Sequence, residues 1–269
     1  MDSSYKGMKV LELDVETSPN LVYAWRLFKE NITIDRVIES GYTLCFAAKW
    51  QHEDAVVFES LYESTVDEML QVMWDLLDEA DVVVHYNGKS FDMPTLNREF
   101  VKAGMVPPTN YKQIDLYRVV RSQFKFASNK MDFVCRELGL QTKTQHKGMQ
   151  LWKDCMEGVE TQWGGEVSDD VAESWATMEE YNVGDIEMLH QLYVVLLPWI
   201  KFHPNRSLYM DDNEDLSCPN CSSTNIVKKG IERPSTVNAY QRYKCKDCGT
   251  NSRGRLALKN RAKPALVGV

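Results

Sequence analysis

Apolar and polar positions cycle along the chain with changing period, and the changes mark out elements. Met8–Leu13 is a short apolar-rich run suited to a strand, and it delivers Asp14 at its end. Gly41–Trp50 and Ala55–Leu61 are β-branched and aromatic runs separated by the polar Gln51–Asp54, the pattern of a hairpin. Val66, Met69, Leu70, Met73 and Leu77 then follow helical spacing, with Ser64 and Asp67 placed as an N-terminal capping pair. Asp81–Tyr86 contains Val82-Val83-Val84, as expected of a central strand covered on both faces. A helix is expected over Pro94–Ala103, stopped by Gly104 and the prolines Pro107-Pro108.

Tyr111–Leu116 reads as a further short strand, leading into helical material near Tyr117–Phe124. Lys130–Leu138 is another helix, ended by Gly139. Gln141–Gly165 is polar, holds Gly148, Gly158, Gly164 and Gly165, and shows no clear period, so it reads as an irregular surface excursion with short helical pieces. Ser168 is placed to cap a long helix running to about Leu197, with a break expected near Tyr181–Gly184. The order of elements describes an α/β fold, a mixed sheet with helices on its faces. Residues 1–205 form this domain, 206–216 an acidic linker around Asp211–Asp215, and 217–269 a separate small module.

A chain of 269 residues can bury a full core and still carry that second module. Its 43% hydrophobic and 26% charged content excludes wholesale disorder and fibrous designs. No apolar stretch is long enough to span a bilayer, and the opening MDSSYKGMKV lacks the apolar core of a secretory signal, so a cytoplasmic location without membrane partners is expected. The net charge of −8 conceals a polarity: residues 1–216 hold 20 Lys+Arg against 37 Asp+Glu, while 217–269 hold 11 against 2. The basic module, rather than the acidic body, is the part suited to attract a polyanion.

Seven cysteines fall unevenly. Cys45, Cys135 and Cys155 stand singly and read as small buried hydrophobes. Cys218-x-x-Cys221 and Cys245-x-x-Cys248, separated by 23 residues, supply two thiolates each from tight turns and predict a structural Zn²⁺ with four ligands and no open position.

The acidic chemistry comes in three pieces. Asp14 and Glu16, at i and i+2, share one face of a strand and can converge on one cation, although Glu12 has the same parity and spacing alone does not choose among the three. Asp92 follows the turn Asn87-Gly88 at a helix start, where a lone carboxylate is often just a cap. Tyr181 and Asp185, at i and i+4, address one spot on a helix face.

Taken in order, D-x-E, N-x-x-x-F-D and Y-x-x-x-D resemble the DnaQ-like (DEDD) exonuclease superfamily, and the tyrosine at 181 places the resemblance with the tyrosine subtype (DEDDy). It extends over roughly residues 8–200. Lys130-Met131-Asp132-Phe133 through Leu138-Gly139-Leu140 also looks like the exonuclease domain of family B DNA polymerases, and LDVETSPNLVYAW is similar to stand-alone bacteriophage exonucleases. The resemblance implies a ribonuclease H-like fold and 3′–5′ hydrolysis of single-stranded DNA. It implies two Mg²⁺ or Mn²⁺ ions, about 4 Å apart in such two-metal sites. Asp14, Glu16 and Asp185 are then expected to hold the ion carrying the attacking water. Asp14 bridges to the second ion, Asp92 supports that ion directly or through water, and Tyr181 orients the water. Thr17, Asn87 and Phe91 are the implied contacts to the terminal nucleotide, with Phe91 equally suited to the core. His85 reads as a satisfied core histidine and Asp115 as a supporting acid.

Cys218-Pro-Asn-Cys221 with Tyr240 through Gly249 resembles the zinc ribbons beside transposases and other DNA-handling proteins. Lys228, Lys229, Arg233, Arg242, Lys244 and Lys246, interleaved with Tyr240 and Tyr243, favour nucleic acid there over a replication or repair protein partner. Arg253–Arg261 extends that surface or frays as a tail. Two rival functions remain: an exoribonuclease or oligonucleotide nuclease, since the same acids serve RNA, and a non-catalytic zinc-ribbon adaptor, against which the complete acidic set argues.

Overall fold

Strand alternation and helical periodicity resolve into two compact units in a computed structural model that describes residues 5–143, 147–162, 169–210, 216–234 and 238–258. One unit is Lys9–Tyr193; the other joins Val194–Val269 with Met1–Met8. The expected Ser168 cap, Gly164-Gly165, the acidic run Asp211–Asp215 and the basic tail past Leu258 lie outside the described residues.

The first unit is built on β1 (Val10–Thr17), β2 (Leu21–Val22), β3 (Val37–Glu39), β4 (Thr43–Trp50), β5 (Val56–Ser60), α1 (Val66–Glu79), β6 (Val82–His85), α2 (Asp92–Lys102), β7 (Lys112–Asp115), α3 (Leu116–Gln123), α4 (Met131–Glu137), α5 (Met149–Gln162) and α6 (Asp169–Leu196). Five strands form a sheet in the order β5-β4-β1-β6-β7, antiparallel through β5-β4-β1 and parallel through β1-β6-β7. This is the mixed α/β sheet expected, with β1 at its centre.

Alternation along β1 sorts its side chains. Leu11, Leu13 and Val15 enter a core with Met69, Leu70, Met73, Leu76 and Leu77 of α1 and Met93, Leu96 and Phe100 of α2. The even positions Glu12, Asp14 and Glu16 face the opposite side, where residues of α6 meet them. Opposite Glu16 the β4 register slips, Glu16 facing Cys45 but Thr17 facing Thr43, which leaves Leu44 as the extra residue of a bulge. Leu44 and Cys45 can therefore both reach the second core, with Leu151 and Cys155 of α5 and Val171, Trp175, Met178 and Tyr181 of α6.

Four expectations are corrected. The first strand does not end at Asp14 but carries Asp14 and Glu16 within it. The capping pair of α1 sits one residue on: Thr65 and Glu68 form the box, the Thr65 hydroxyl accepting from Glu68 N and Glu68 accepting from Thr65 N. The stretch after Gln141 is not all irregular, because α5 is a 14-residue helix. Its buried face includes the i,i+4 pairs Leu151–Cys155 and Trp152–Met156, which polar, glycine-bearing surroundings obscure. Finally, α6 runs unbroken for 28 residues through Gly184. Glycine costs about 1 kcal/mol in a helix, and the buried Asn182, Asp185 and Ile186 around it supply packing that outweighs that.

In the second unit, β8 (Ile226–Glu232), β9 (Tyr240–Cys245) and β10 (Asn251–Arg253) form an antiparallel sheet in the order β10-β9-β8. Ser222 and Gly249 adopt positive φ of 62° and 81° just past the two Cys-x-x-Cys turns. Asn220 donates to Leu197 O and Arg206 N to Pro219 O, which ties the segment after α6 to the first of these turns. Among the described residues no helix is long and apolar enough to cross a membrane.

Candidate active site

The even face of β1 meets α6 along three consecutive positions, and each is used differently. Glu12 is fully buried and both its carboxylate oxygens lie 3.0 Å from His190 Nδ1. That engagement separates it from its two neighbours of equal parity, a choice that spacing left open. Asp14 Oδ2 accepts a 2.8 Å hydrogen bond from Asn182 Nδ2. Asp14, Glu16 and Asp185 each offer a carboxylate oxygen within 4.8 Å of the others.

Asp92 does not join that tight triad, but it is fastened to the same strand. It is the first residue of α2, is buried, and its Oδ1 accepts Val15 N at 3.1 Å, between the two acids of β1. The turn that delivers it is tightly determined. His85 Nδ1 accepts Gly88 N at 3.0 Å, which puts the imidazole proton on Nε2, 3.2 Å from Gln113 Oε1. Burial lowers the His85 pKa, in keeping with this neutral form. A Cβ on Gly88 would lie 2.4 Å from His85 Cγ, so only glycine fits. Asp115 Oδ1 accepts Asn87 N at 3.0 Å and Arg118 N at 3.3 Å, holding Asn87 at φ +68°. His85 and Asp115 thus shape the turn rather than touch the cluster.

All four acids line one cleft of 1220 Å³, with Asn87, Phe91, Tyr86, Tyr117, Lys130 and Arg136 among the other walls. Phe91 is 46% exposed there, so it belongs to the cleft and not to the core. Thr17 lies outside this cleft and lines a neighbouring depression with Ser18, Pro19, Gly148, Met149 and Trp152.

Electrostatics make the cluster incomplete as it stands. Burial, then the neighbouring charges of Asp185, Asp92 and Glu16, raise the Asp14 pKa well above its ordinary value. Burial and Asp185 push Glu16 up to about 7. Burial pushes Asp92 to about 7 against the lowering effect of its own N–H and that of Val15. Oxygen donors that crowd in this way suit a hard divalent cation, which would relieve the repulsion that raises them.

One cation is already present, and sequence reasoning missed it. Lys143 Nζ lies 2.5 Å from both Asp185 Oδ2 and Tyr181 Oη and 4.4 Å from the Tyr181 ring centroid. Burial alone would depress its pKa, but Asp185 and Tyr181 outweigh that and keep it protonated. Tyr181 is pushed to about 12, by burial first and then by Asp185 and Glu16, so it remains a phenol. Asn182 and Trp152, the latter hydrogen-bonded to Glu16, were missed as well. Asn182 adjoins Tyr181 on α6 and was open to inspection; Lys143 sits in a stretch without period and gave no signal.

A family model described as the RNase_H superfamily matches residues 40–197. The chain belongs to the RNase H superfamily. That match spans Asp92, Tyr181 and Asp185 and begins after Asp14 and Glu16. Solved structures that match number 112 chains. Among them, the family B DNA polymerase from the hyperthermophilic archaeon Pyrobaculum calidifontis shares 14% identity at a TM-score of 0.50 over 71% of this chain. The likeness is one of fold, and this chain spans 25% of that polymerase. No curated protein matches the chain.

Residues beyond 197 lie outside the RNase H superfamily match, and they hold the second cluster. Cys218 and Cys248 sulfurs are 3.6 Å apart and those of Cys221 and Cys245 3.7 Å. Sulfurs around a tetrahedral Zn²⁺ with bonds of about 2.3 Å are about 3.8 Å apart, so the four side chains fit a thiolate-bound metal. Burial pushes the Cys218 and Cys221 thiols up, while backbone N–H groups of Cys248 and Asp247 overcome burial and bring Cys245 down to about 7. Lys228, Lys229, Arg233, Arg242, Lys244 and Lys246 are all exposed. They are divided between faces: Lys228 stands opposite Tyr243, whereas Arg242 and Lys244 alternate away from that tyrosine along β9. Arg253 lies 4.4 Å over the Tyr240 ring.

Proposed function

We propose that the chain is a metal-dependent 3′–5′ exonuclease of the tyrosine subtype, acting on single-stranded DNA. The observation that carries the reading is the convergence of Asp14, Glu16 and Asp185, with Asp92 lining the same open cleft and the buried phenol of Tyr181 sharing Lys143 with Asp185. The order of these residues and the RNase H superfamily fold support hydrolysis at phosphorus; the 3′–5′ direction rests on the resemblance to DEDD exonucleases and to the exonuclease domain of family B polymerases.

Asp14, Glu16 and Asp185 would hold the cation, with Asp92 placed to support a second. A divalent cation there supplies Lewis acidity, acidifying water and offsetting charge on the phosphate. Tyr181, a phenol at neutral pH, orients the attacking water by hydrogen bonding and does not remove its proton. Lys143 brings positive charge to the same floor and offsets the acids while the site awaits substrate. Asn87 and Phe91 stand where a terminal nucleotide entering the cleft would meet them, and Thr17 stands next to it. Residues 217–269 form a Zn²⁺ ribbon whose exposed cations add affinity for the phosphate backbone.

The test uses 5′-labelled single-stranded DNA and RNA with Mg²⁺ or Mn²⁺, with Asp14→Ala as control. A ladder shortening from the 3′ end of DNA, absent in the variant, is expected. Cleavage confined to RNA would move the substrate class, and no metal-dependent cleavage of either polymer would remove the enzymatic reading.

A further inference from the structure

Between Thr17, the last residue of the strand bearing Asp14 and Glu16, and Thr43 of β4, the chain makes an excursion that the catalytic reading does not use. It leaves and returns at one point. Ser18 N donates to Tyr42 O at 2.9 Å, Tyr42 N donates back to Ser18 Oγ at 2.9 Å, Gly41 N donates to Asn20 Oδ1 at 2.7 Å, and Arg98 Nη2 of α2 reaches Gly41 O at 2.6 Å. Out from this root the two-stranded β2–β3 pair and the turns beyond it form an arm. Its apolar side chains are bare: Tyr23 is 71% exposed, Trp25 86% and Phe28 82%, with Leu27 and Ile34 higher still. Large aromatic rings left in water on an isolated arm point to a ligand.

We propose that this arm is a stacking surface for the bases of a single strand whose end lies in the cleft. The proposal rests on the nucleic-acid reading above and extends it to a second contact region. Three observations favour nucleic acid over a protein partner. Three large rings, Tyr23, Trp25 and Phe28, stand exposed among the arm's aliphatic side chains, and every base offers a π-face to a ring regardless of sequence. Glu30 is engaged by Arg36 and by Arg26 N, so Arg26 and Lys29, the cations interleaved with Trp25 and Phe28, have no ion pair among the described residues. The arm's root also adjoins the acids. Trp152, which hydrogen-bonds Glu16, lines a 290 Å³ depression with Thr17, Ser18 and Pro19, the residues that follow Glu16 into the arm. Balanced charge in the arm, three cations against Glu30, Asp35 and Glu39, means that stacking rather than long-range attraction carries the contact.

The experiment measures two substrates on the full chain, an oligothymidine of about twelve nucleotides and a dinucleotide that fills only the cleft. Trp25→Ala with Phe28→Ala should lower kcat/KM on the longer strand by about tenfold or more, through KM, and leave the dinucleotide within about twofold. The ring-retaining pair Trp25→Phe and Phe28→Tyr should restore the longer substrate. Equal loss on both substrates, or loss on neither, overturns the proposal. A dimer that dissociates in the alanine variant without any change in turnover would reassign the arm to self-association. Binding of the labelled oligothymidine to Asp14→Ala, with and without the arm substitutions, reads the arm independently of cleavage. An about tenfold weakening that is absent for an abasic strand of equal length is expected; no weakening refutes the stacking surface even where the nuclease reading stands.

Discussion

Asp14, Glu16 and Asp185 converge on the floor of an open cleft, whereas Cys218, Cys221, Cys245 and Cys248 close on one another with sulfurs 3.6 to 3.7 Å apart. The acids are mounted on β1 and α6, elements whose apolar residues already fill two cores, so the surrounding fold has other support. The cysteines sit in turns and at a strand end around three short strands with few buried side chains among the described residues, so a metal there would supply much of what a core would. On the proposed reading, an ion at the acids would serve chemistry and exchange with solvent, and an ion at the cysteines would serve shape. The difference lies in what remains when the ion is removed, and that can be measured.

The largest effect expected is on rate. Asp14→Ala or Asp185→Asn should lower turnover by about a thousandfold or more, because on the proposed reading each removes a ligand of the cation that activates the water. Turnover of Asp185→Asn within tenfold of the parent would contradict the role given to that residue.

The second effect separates the two centres. Cys218→Ser, or a strong thiol-competitive chelator, should strip amide-exchange protection from β8–β10 while the Lys9–Tyr193 unit keeps its own melting transition. Joint loss of both units would show that the core depends on the ribbon metal after all.

A smaller effect appears in metal-free stability. Glu16 and Asp92 are raised from 4.5 and 3.8 to about 7. Between those ordinary values and about 7 the folded chain binds more protons than the unfolded one. Metal-free stability should therefore fall as pH rises through that window and level off above it. Asp92→Asn keeps an acceptor for Val15 N and removes a buried charge. At pH above 7 the metal-free variant should gain on the order of a few kcal/mol, roughly 2–4 °C for each, while losing activity. Mg²⁺ should raise the melting temperature of the parent more at high pH than at low, since metal and protons compete for the same oxygens. A flat pH profile in thermal melts would count against the crowding of these acids.

The smallest effect tests the turn behind Asp92. Gly88→Ala places a methyl 2.4 Å from the His85 ring, and the resulting shift should reduce kcat by about tenfold with little change in metal affinity.

How much of this was legible in the sequence depends on whether a local pattern or a long-range encounter decides the outcome. The spacing of the four ribbon cysteines, the Val82–Val84 strand and the Asp14/Glu16 parity are local, and the mixed sheet could be read from such patterns. The exclusion of Glu12 was not legible, because its partner His190 lies 178 residues away. Lys143 was hidden for the same reason: its approach to Asp185 and Tyr181 is made by a segment with no periodicity to announce it. The helix α5 is hard to see in the sequence because its apolar positions lie among polar residues and glycines, and the break expected in α6 rests on one glycine whose neighbours are packed.

The bulge at Leu44 has a further consequence. A one-residue slip in a strand pair turns every side chain to the other face, which here would carry Asp14 and Glu16 away from α6. The slip at Leu44 occurs where the arm rejoins the sheet, after the paired stretch that fixes both acids, and Ser18–Tyr42 clamps the two ends together. Residues can then be added to or removed from the 19–41 segment without any change of parity upstream. The molecule is modular at this point: the arm is a cassette, and exchanging it for another loop is a route to altered substrate preference that leaves the reaction centre in register.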